Sequence, residues 1–380
     1  MNIDADTLAA GRRVLTWVEG CADRDRAARL VWSALAEPGD AAAAHLVAEI
    51  GAADALEALV TRPESALDRF RPRLQRVDPT RMIEDARGCG AHLLIPTDAE
   101  WPGGVNDLNA PPLCLWVRGD RDLAGATARS IAIVGARAST AYGESVAADL
   151  AAGLAERRIT VVSGGAFGID AAAHRGVLAV EGHTIAVLAG GVDRPYPVAH
   201  HRLLGHIAQT GAVVSELPPG ASSLKSRFLL RNRLIATMTT GTLVVEAGRR
   251  SGSRNTAGTA SAHHRIVMAV PGAITSAASV GCHEMIRAGM AQLVTDVDEI
   301  LELIGGMGEH LCPDKASPSR AGDGLEGADR RVFDVLGRAP QHADDLCVAA
   351  GESLMATRAA LGRLDLLGLA RHDERGWRSA

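Results

Sequence analysis

SIAIVGARASTAYGESVAADLAAGLAERRITVVSGG, residues 130–165, holds two continuous apolar runs that each stop at glycine, with a helix-like segment between them. A strand buried on one face alternates apolar and polar residues. A strand buried on both faces reads as an unbroken β-rich run. SIAIVGA (130–136) and ITVVSGG (159–165) are of the second kind. The pattern continues in TIAVLAGG (184–191), AVVSE (212–216), TLVVEAG (242–248) and RIVMAVPG (265–272). Most of these runs are followed by a helix-like stretch of roughly ten to twenty residues, the spacing of βαβ units. This predicts an α/β fold: an extended Rossmann-like, doubly wound parallel sheet covered on both faces, over about 88–306. AHLLIP (91–96) and PPLCLWVRG (111–119) add two short strands before it.

Residues 7 to about 87 repeat apolar residues at three and four, as in RAARLVWSALAEP (26–38), and Pro38 and Pro63 punctuate them. They predict a helical accessory domain over 1–87, with no site chemistry of its own. Residues 307–327 are polar, with glycine and proline, and read as a linker. In 328–380, three helix-like segments precede LARHDERGWRSA (369–380), which reads as two short strands around a turn. That order is a winged helix-turn-helix, a module for binding nucleic acid or protein.

The chain has 380 residues, 47% of them hydrophobic, and a net charge of −5. A simple polycation is excluded, but the charge is uneven. Residues 224–265 hold eight basic side chains against Glu246 alone, a local excess of +7. Within them, SRFLLRNRLIATMT (226–239) is predicted to be a helix whose apolar stripe of Leu230, Leu234, Ile235 and Met238 contains Arg231. A guanidinium on a core-facing stripe needs an anion, either an internal carboxylate or a ligand.

In a doubly wound sheet, ligands sit beyond the carboxyl ends of the strands. Here those ends carry Gly135, Gly164, Gly165, Gly190 and Gly191, with Arg137 just after the first. Such glycines either make tight turns or let backbone amides approach phosphate. Lys225, Phe228, Arg231 and Arg233 lie within nine residues, joining phosphate-seeking cations to a ring that could stack a base or pack in the core. EAGRRSGSRNTAG (246–258) offers Arg250 and Arg254 on a second glycine-rich turn.

Other chemistries find little support. There is no G-x-G-x-x-G, and GASSLKS (220–226) lacks a P-loop's second glycine, so neither a dinucleotide cofactor nor ATP hydrolysis is expected. The six cysteines are scattered and no Cys/His cluster forms, so no metal is expected and the thiols read as reduced. Asp170, Asp193, Glu216 and Glu246 lie near strand ends without an evident nucleophile–base pair, so no catalytic residue and no enzyme is predicted. The N-terminus lacks the order of a signal peptide, and no apolar run is long enough for a membrane span. A cytoplasmic protein without membrane partners is expected.

Together VGARAST (134–140) with the nearby Tyr142 and Gly143, SGGAFGIDAAAH (163–174), TIAVLAGGVDRPYP (184–197), FLLRNRLIA (228–236), VVEAGRRSGSRNTA (244–257) and AVPG (269–272) resemble the DNA-processing protein A (DprA/Smf) family, in the family's order. The resemblance implies a single-stranded DNA-binding protein, a homodimer that protects incoming strands and loads the RecA recombinase in natural transformation. It implies pocket cations at Arg137, Lys225, Arg231 and Arg233 with Asn232 between them, a stacking ring at Phe228, and a phosphate turn at Ser163, Gly164 and Gly165. One departure is the scarcity of lysine, with Lys225 and Lys315 alone in the chain. The rival on a similar sheet is a nucleotide phosphoribohydrolase, which needs a PGGxGTxxE segment; this chain has only GTLVVEAG (241–248).

Overall fold

The computed structural model describes residues 5–62, 67–306, 310 and 322–380. Pro63, Cys312, Lys315 and most of the expected linker (307–309 and 311–321) lie outside them. The chain forms two compact units, Met1–Cys312 and Pro313–Ala380.

The first unit is built on a nine-stranded sheet: β1 Ala91–Leu94, β2 Leu115–Gly119, β3 Ser130–Val134, β4 Thr160–Ser163, β5 Thr184–Val187, β6 Ala212–Ser215, β7 Gly241–Val244, β8 Ile266–Ala269 and β9 Gln292–Leu293. Their spatial order is β1-β2-β6-β5-β4-β3-β7-β8-β9. From β6 through β9 neighbouring strands are parallel, while β1–β2 and β2–β6 are antiparallel. All residues of β3, β4, β5, β6 and β7 are buried, as unbroken apolar runs require of a sheet covered on both faces. The order reverses between β3 and β7. The chain winds outward from β3 to β6, crosses back through the helix Lys225–Met238, and continues from β7 in the other direction.

Residues 5–89 are mainly helical where described, from Ala5–Glu19 to Pro79–Cys89. Asp23, Asp40 and Asp78 cap three of these helices by accepting from the amides of Arg26, Ala43 and Arg81. Trp32 meets Phe70 edge-on at 5.7 Å and donates its indole N–H to the Ala52 carbonyl. This core is continuous with one face of the sheet, because Trp116, Leu188 and Val213 belong to the same buried cluster. Two ion pairs add to the junction: Arg26 with Asp98, and Arg227 with Glu37 at 2.9 and 3.0 Å.

Those pairs predict acid lability. Hydrogen bonds from Arg227 hold the Glu37 carboxyl below its ordinary range, and those from Arg26 do the same for Asp98. A depressed carboxylate contributes stability that is present above its unfolded pKa and is lost as pH falls through the folded one. The thermal midpoint should therefore drop as pH is lowered below about 4. A Glu37→Gln, Asp98→Asn double variant should show a shallower drop when melts are compared across that range.

In the second unit the helices Gly327–Val335, Ala343–Ala350 and Leu354–Leu366 pack around Val332, Leu346, Leu361 and Leu364. The antiparallel pair β10 (Ala370–Asp373) and β11 (Gly376–Ser379) forms the wing.

Candidate functional site

Loops leaving β3 and β7 diverge where the strand order reverses, and a crevice opens at their carboxyl ends. It is a cavity of about 960 Å³. Gly135 to Ala138 line it after β3, Ala166 and Asp170 after β4, and Gly248 with Arg250 to Ser253 after β7. The helix Lys225–Met238 lies along one wall and contributes Lys225, Phe228, Arg231 and Asn232.

Arg231 is 5% exposed and forms the base of that wall. It donates from Nη1 to the Val187 carbonyl at 2.8 Å, and its Nε is buried without a partner. Asp170 supplies the nearby opposite charge. Burial pulls the Arg231 pKa down to about 10, opposed by Asp170, and burial pushes the Asp170 carboxyl up, opposed first by Arg231. The anion demanded by the apolar stripe is thus met in part internally, while one face of the guanidinium group still lines the cavity.

The expected phosphate turn is built differently from the simple cradle. Asp170 accepts from the amides of Gly164 and Ala166 at 3.2 and 3.4 Å. Ser163 is fully buried and donates its hydroxyl to the Ile133 carbonyl at 2.6 Å. A carboxylate of the chain therefore holds two of the amides a phosphate would use. Gly164 must be glycine, because a Cβ there would overlap the Arg231 guanidinium. Gly165 has φ +65° and accepts from His200 Nδ1 at 2.9 Å.

Arg137, Lys225 and Arg250 are exposed at the cavity and make no ion pair among the described residues. The Arg137 guanidinium lies 4.8 Å from the centre of the Phe228 ring. Phe228 is half-buried, outside the hydrophobic clusters, with the cation already stacked on it. Asn232 is buried and its amide reaches the Gly252 carbonyl at 3.4 Å.

Arg233 and Arg254 are not brought to the cavity. Two residues along a helix is a rotation of about 200°, so Arg233 points away from Arg231. It pairs with half-buried Glu216 and donates to the Ala110 carbonyl at 3.0 Å. Arg254 pairs with Glu284 at 2.7 Å, and Arg249 joins the same carboxylate at 3.0 Å.

Sequence reasoning passed over several rings here. Tyr196 is half-exposed and lies 5.4 Å from Phe228, and half-exposed Phe167 follows the glycine turn. The signal was available, since the chain has only four Phe and two Tyr. Glu246, the carboxylate after β7, is 1% exposed and accepts from the Thr140 amide and hydroxyl at 2.9 and 2.6 Å. It fixes the start of the helix Ala141–Glu156. Among the described residues no cluster of three His, Cys, Asp or Glu could hold a metal, and no helix is long and apolar enough to cross a membrane.

Comparison with known proteins meets this geometry. The family model for DNA recombination-mediator protein A matches residues 92–305, and that for the DprA winged helix domain matches 316–374. A putative DNA processing protein DprA of Mycobacterium tuberculosis is 44% identical over 361 residues, covering 91% of this chain and 92% of the relative. The X-ray structure of DprA from Streptococcus pneumoniae superposes with a TM-score of 0.61 at 31% identity, over 72% of this chain and 95% of that one. The DprA of Helicobacter pylori, solved for its single-stranded DNA binding mode, gives a TM-score of 0.51 at 29% identity, over 56% of this chain and 94% of that one. With a family model matched over more than half of the sequence and a relative 44% identical over 91% of it, the chain belongs to the DNA recombination-mediator protein A family.

Proposed function

We propose that the cavity binds single-stranded DNA, holding backbone phosphate with Arg137, Lys225, Arg231 and Arg250 and receiving an unstacked base beside Phe228. The observation that carries this is the lining itself: four cations, three of them without an acidic partner among the described residues, face one carboxylate that is buried. A duplex hides its base faces, so a ring between cations favours a single strand. Asn232 lines the cavity, whereas Ser163, Gly164 and Gly165 lie outside its lining and Arg233 and Arg254 are held by Glu216 and Glu284. We read the protein as a binder rather than an enzyme. Among the described residues Asp170 is the carboxylate of the lining and is engaged by two amides, while Glu246 is engaged by Thr140, which does not suit the freely placed carboxylate of a phosphoribohydrolase.

The family resemblance carries the proposal further, to a cytoplasmic homodimer that protects incoming strands and loads RecA. Residues 1–87 serve as an accessory layer, 88–306 carry the site, and 328–380 are auxiliary. Cations of the winged helix are largely paired, as in Arg331 with Glu352 and Arg363 with Asp329, which suits a module that is not the principal DNA site.

Arg137→Ala is the direct test. Affinity should fall alike for all base sequences, and the log–log salt slope should shrink by roughly 0.7, one phosphate contact on a single strand. The same variant should slow RecA assembly on coated single strands. An unchanged slope in a folded variant removes Arg137 from the interface, and turnover of nucleoside monophosphates by the native protein would favour the enzyme instead.

A further inference from the structure

We propose that the strand continues out of the cavity over a second aromatic step, where Tyr196 and Phe167 each receive an unstacked base and Arg194 and Arg202 receive backbone phosphate. The proposal rests on the single-strand reading of the cavity and extends it to a surface outside the cavity lining. Of the four Phe and two Tyr in the chain, Phe70 is in the helical core and Phe333 packs against the winged-helix core. Tyr142, Tyr196 and Phe167 are each 50% exposed; Tyr142 donates its hydroxyl to the Pro271 carbonyl, and hydrophobic burial explains neither of the other two.

They are also connected. Tyr196 meets Phe228 at 5.4 Å with the planes tilted by 56°, so it stands at the cavity's edge. Four residues further along, His200 meets Phe167 at 4.7 Å, edge to face rather than stacked. His200 is buried and tied to the Gly165 carbonyl, which fixes the support on which Phe167 stands. Phe228 thus meets Tyr196, and Phe167 meets His200, four residues beyond Tyr196.

Two exposed arginines, Arg194 and Arg202, each lie two residues from Tyr196 or His200 in the sequence. Arg194 is exposed, and its nearest carboxylate, Asp193 at 3.9 Å, already accepts from the Gly220 amide at 2.8 Å. Arg202 is exposed and makes no ion pair among the described residues. Exposed rings near exposed arginines match a single strand, which offers both bases and phosphates. An apolar protein partner would leave the exposed Arg202 guanidinium without counter-charge.

Full-length protein titrated with fluorescent oligothymidylates of increasing length tests this. Phe167→Ala should bind the shortest strand that still fills the cavity as the native protein does, and should lose about tenfold for long strands. Phe167→Trp should restore long-strand affinity, and its fluorescence should be quenched by long strands only. Arg137→Ala, run beside it, should weaken binding at every length. If Phe167→Ala matches the native protein at all lengths, or if the Trp is not quenched, the second step is wrong while the cavity reading stands. If Arg137→Ala binds normally and Phe167→Ala does not, the cavity reading fails instead. A Phe167→Ala protein that changes oligomeric mass but binds DNA normally makes the surface a contact between copies and overturns the proposal.

Discussion

Gly168→Ala should lower the unfolding free energy of the sheet unit by about 3 kcal/mol or more and abolish most single-strand binding in what remains folded. Gly168 has φ +76° and ψ −128°, a conformation that side chains other than glycine rarely adopt. It is the residue from which the helix Ile169–Ala179 departs, and it lies against the turn after β3. An added Cβ would collide with the Ala136 carbonyl oxygen and come within 2.8 Å of the Arg137 carbonyl oxygen. Both obstacles are backbone, so neither can rotate away. Relief requires the turn carrying Arg137 to move, and with it the hydrogen bond from the Ile169 amide to Ala136. Gly205→Ala is the control. It lies within the helix His201–Thr210, where a Cβ meets nothing within 4 Å, and alanine there should be neutral or stabilise by about 1 kcal/mol. Equal denaturation midpoints for the two variants would show that the contact at Gly168 does not position the site.

The sheet was legible because its strands are buried on both faces, which leaves unbroken apolar runs with glycine at their carboxyl ends. β9 escaped notice because Gln292–Leu293 is two residues long and exposed, and no run marks it. Charge was harder to read. The excess of +7 in residues 224–265 is largely cancelled by acids from elsewhere: Glu37 for Arg227, Glu216 for Arg233, Glu284 for Arg249 and Arg254, and Asp107 for Arg265. A local count cannot see a carboxylate 190 residues away, as Glu37 is from Arg227. What remains near the cavity is Lys225, Arg231 and Arg250, joined by Arg137 from β3. Helical geometry alone could have separated Arg231 from Arg233. The cover of Arg137 over Phe228 could not be foreseen, since it depends on how a loop meets a helix residue 91 positions away.

Asp170→Ala should cost the sheet unit about 3–5 kcal/mol, the scale for leaving a buried charge without its compensating opposite charge. Two losses act together. The amides of Gly164 and Ala166 lose their acceptor, and Arg231 loses its nearby opposite charge while its Nε is already without a partner. Removing both charges is a different experiment. In an Asp170→Ala, Arg231→Met double variant no uncompensated guanidinium remains, and a good part of the stability should return. Binding should not return with it, because the cation at the cavity's base is gone and the glycine turn still lacks its acceptor. Stability and affinity, which fall together in the single variant, should thus separate in the double one. Denaturant midpoints and single-strand titrations on the same preparations measure both. A single variant as stable as the native chain would mean that Asp170 does not balance Arg231. A double variant that binds fully would move the phosphate contact away from Arg231 to Arg137, Lys225 and Arg250.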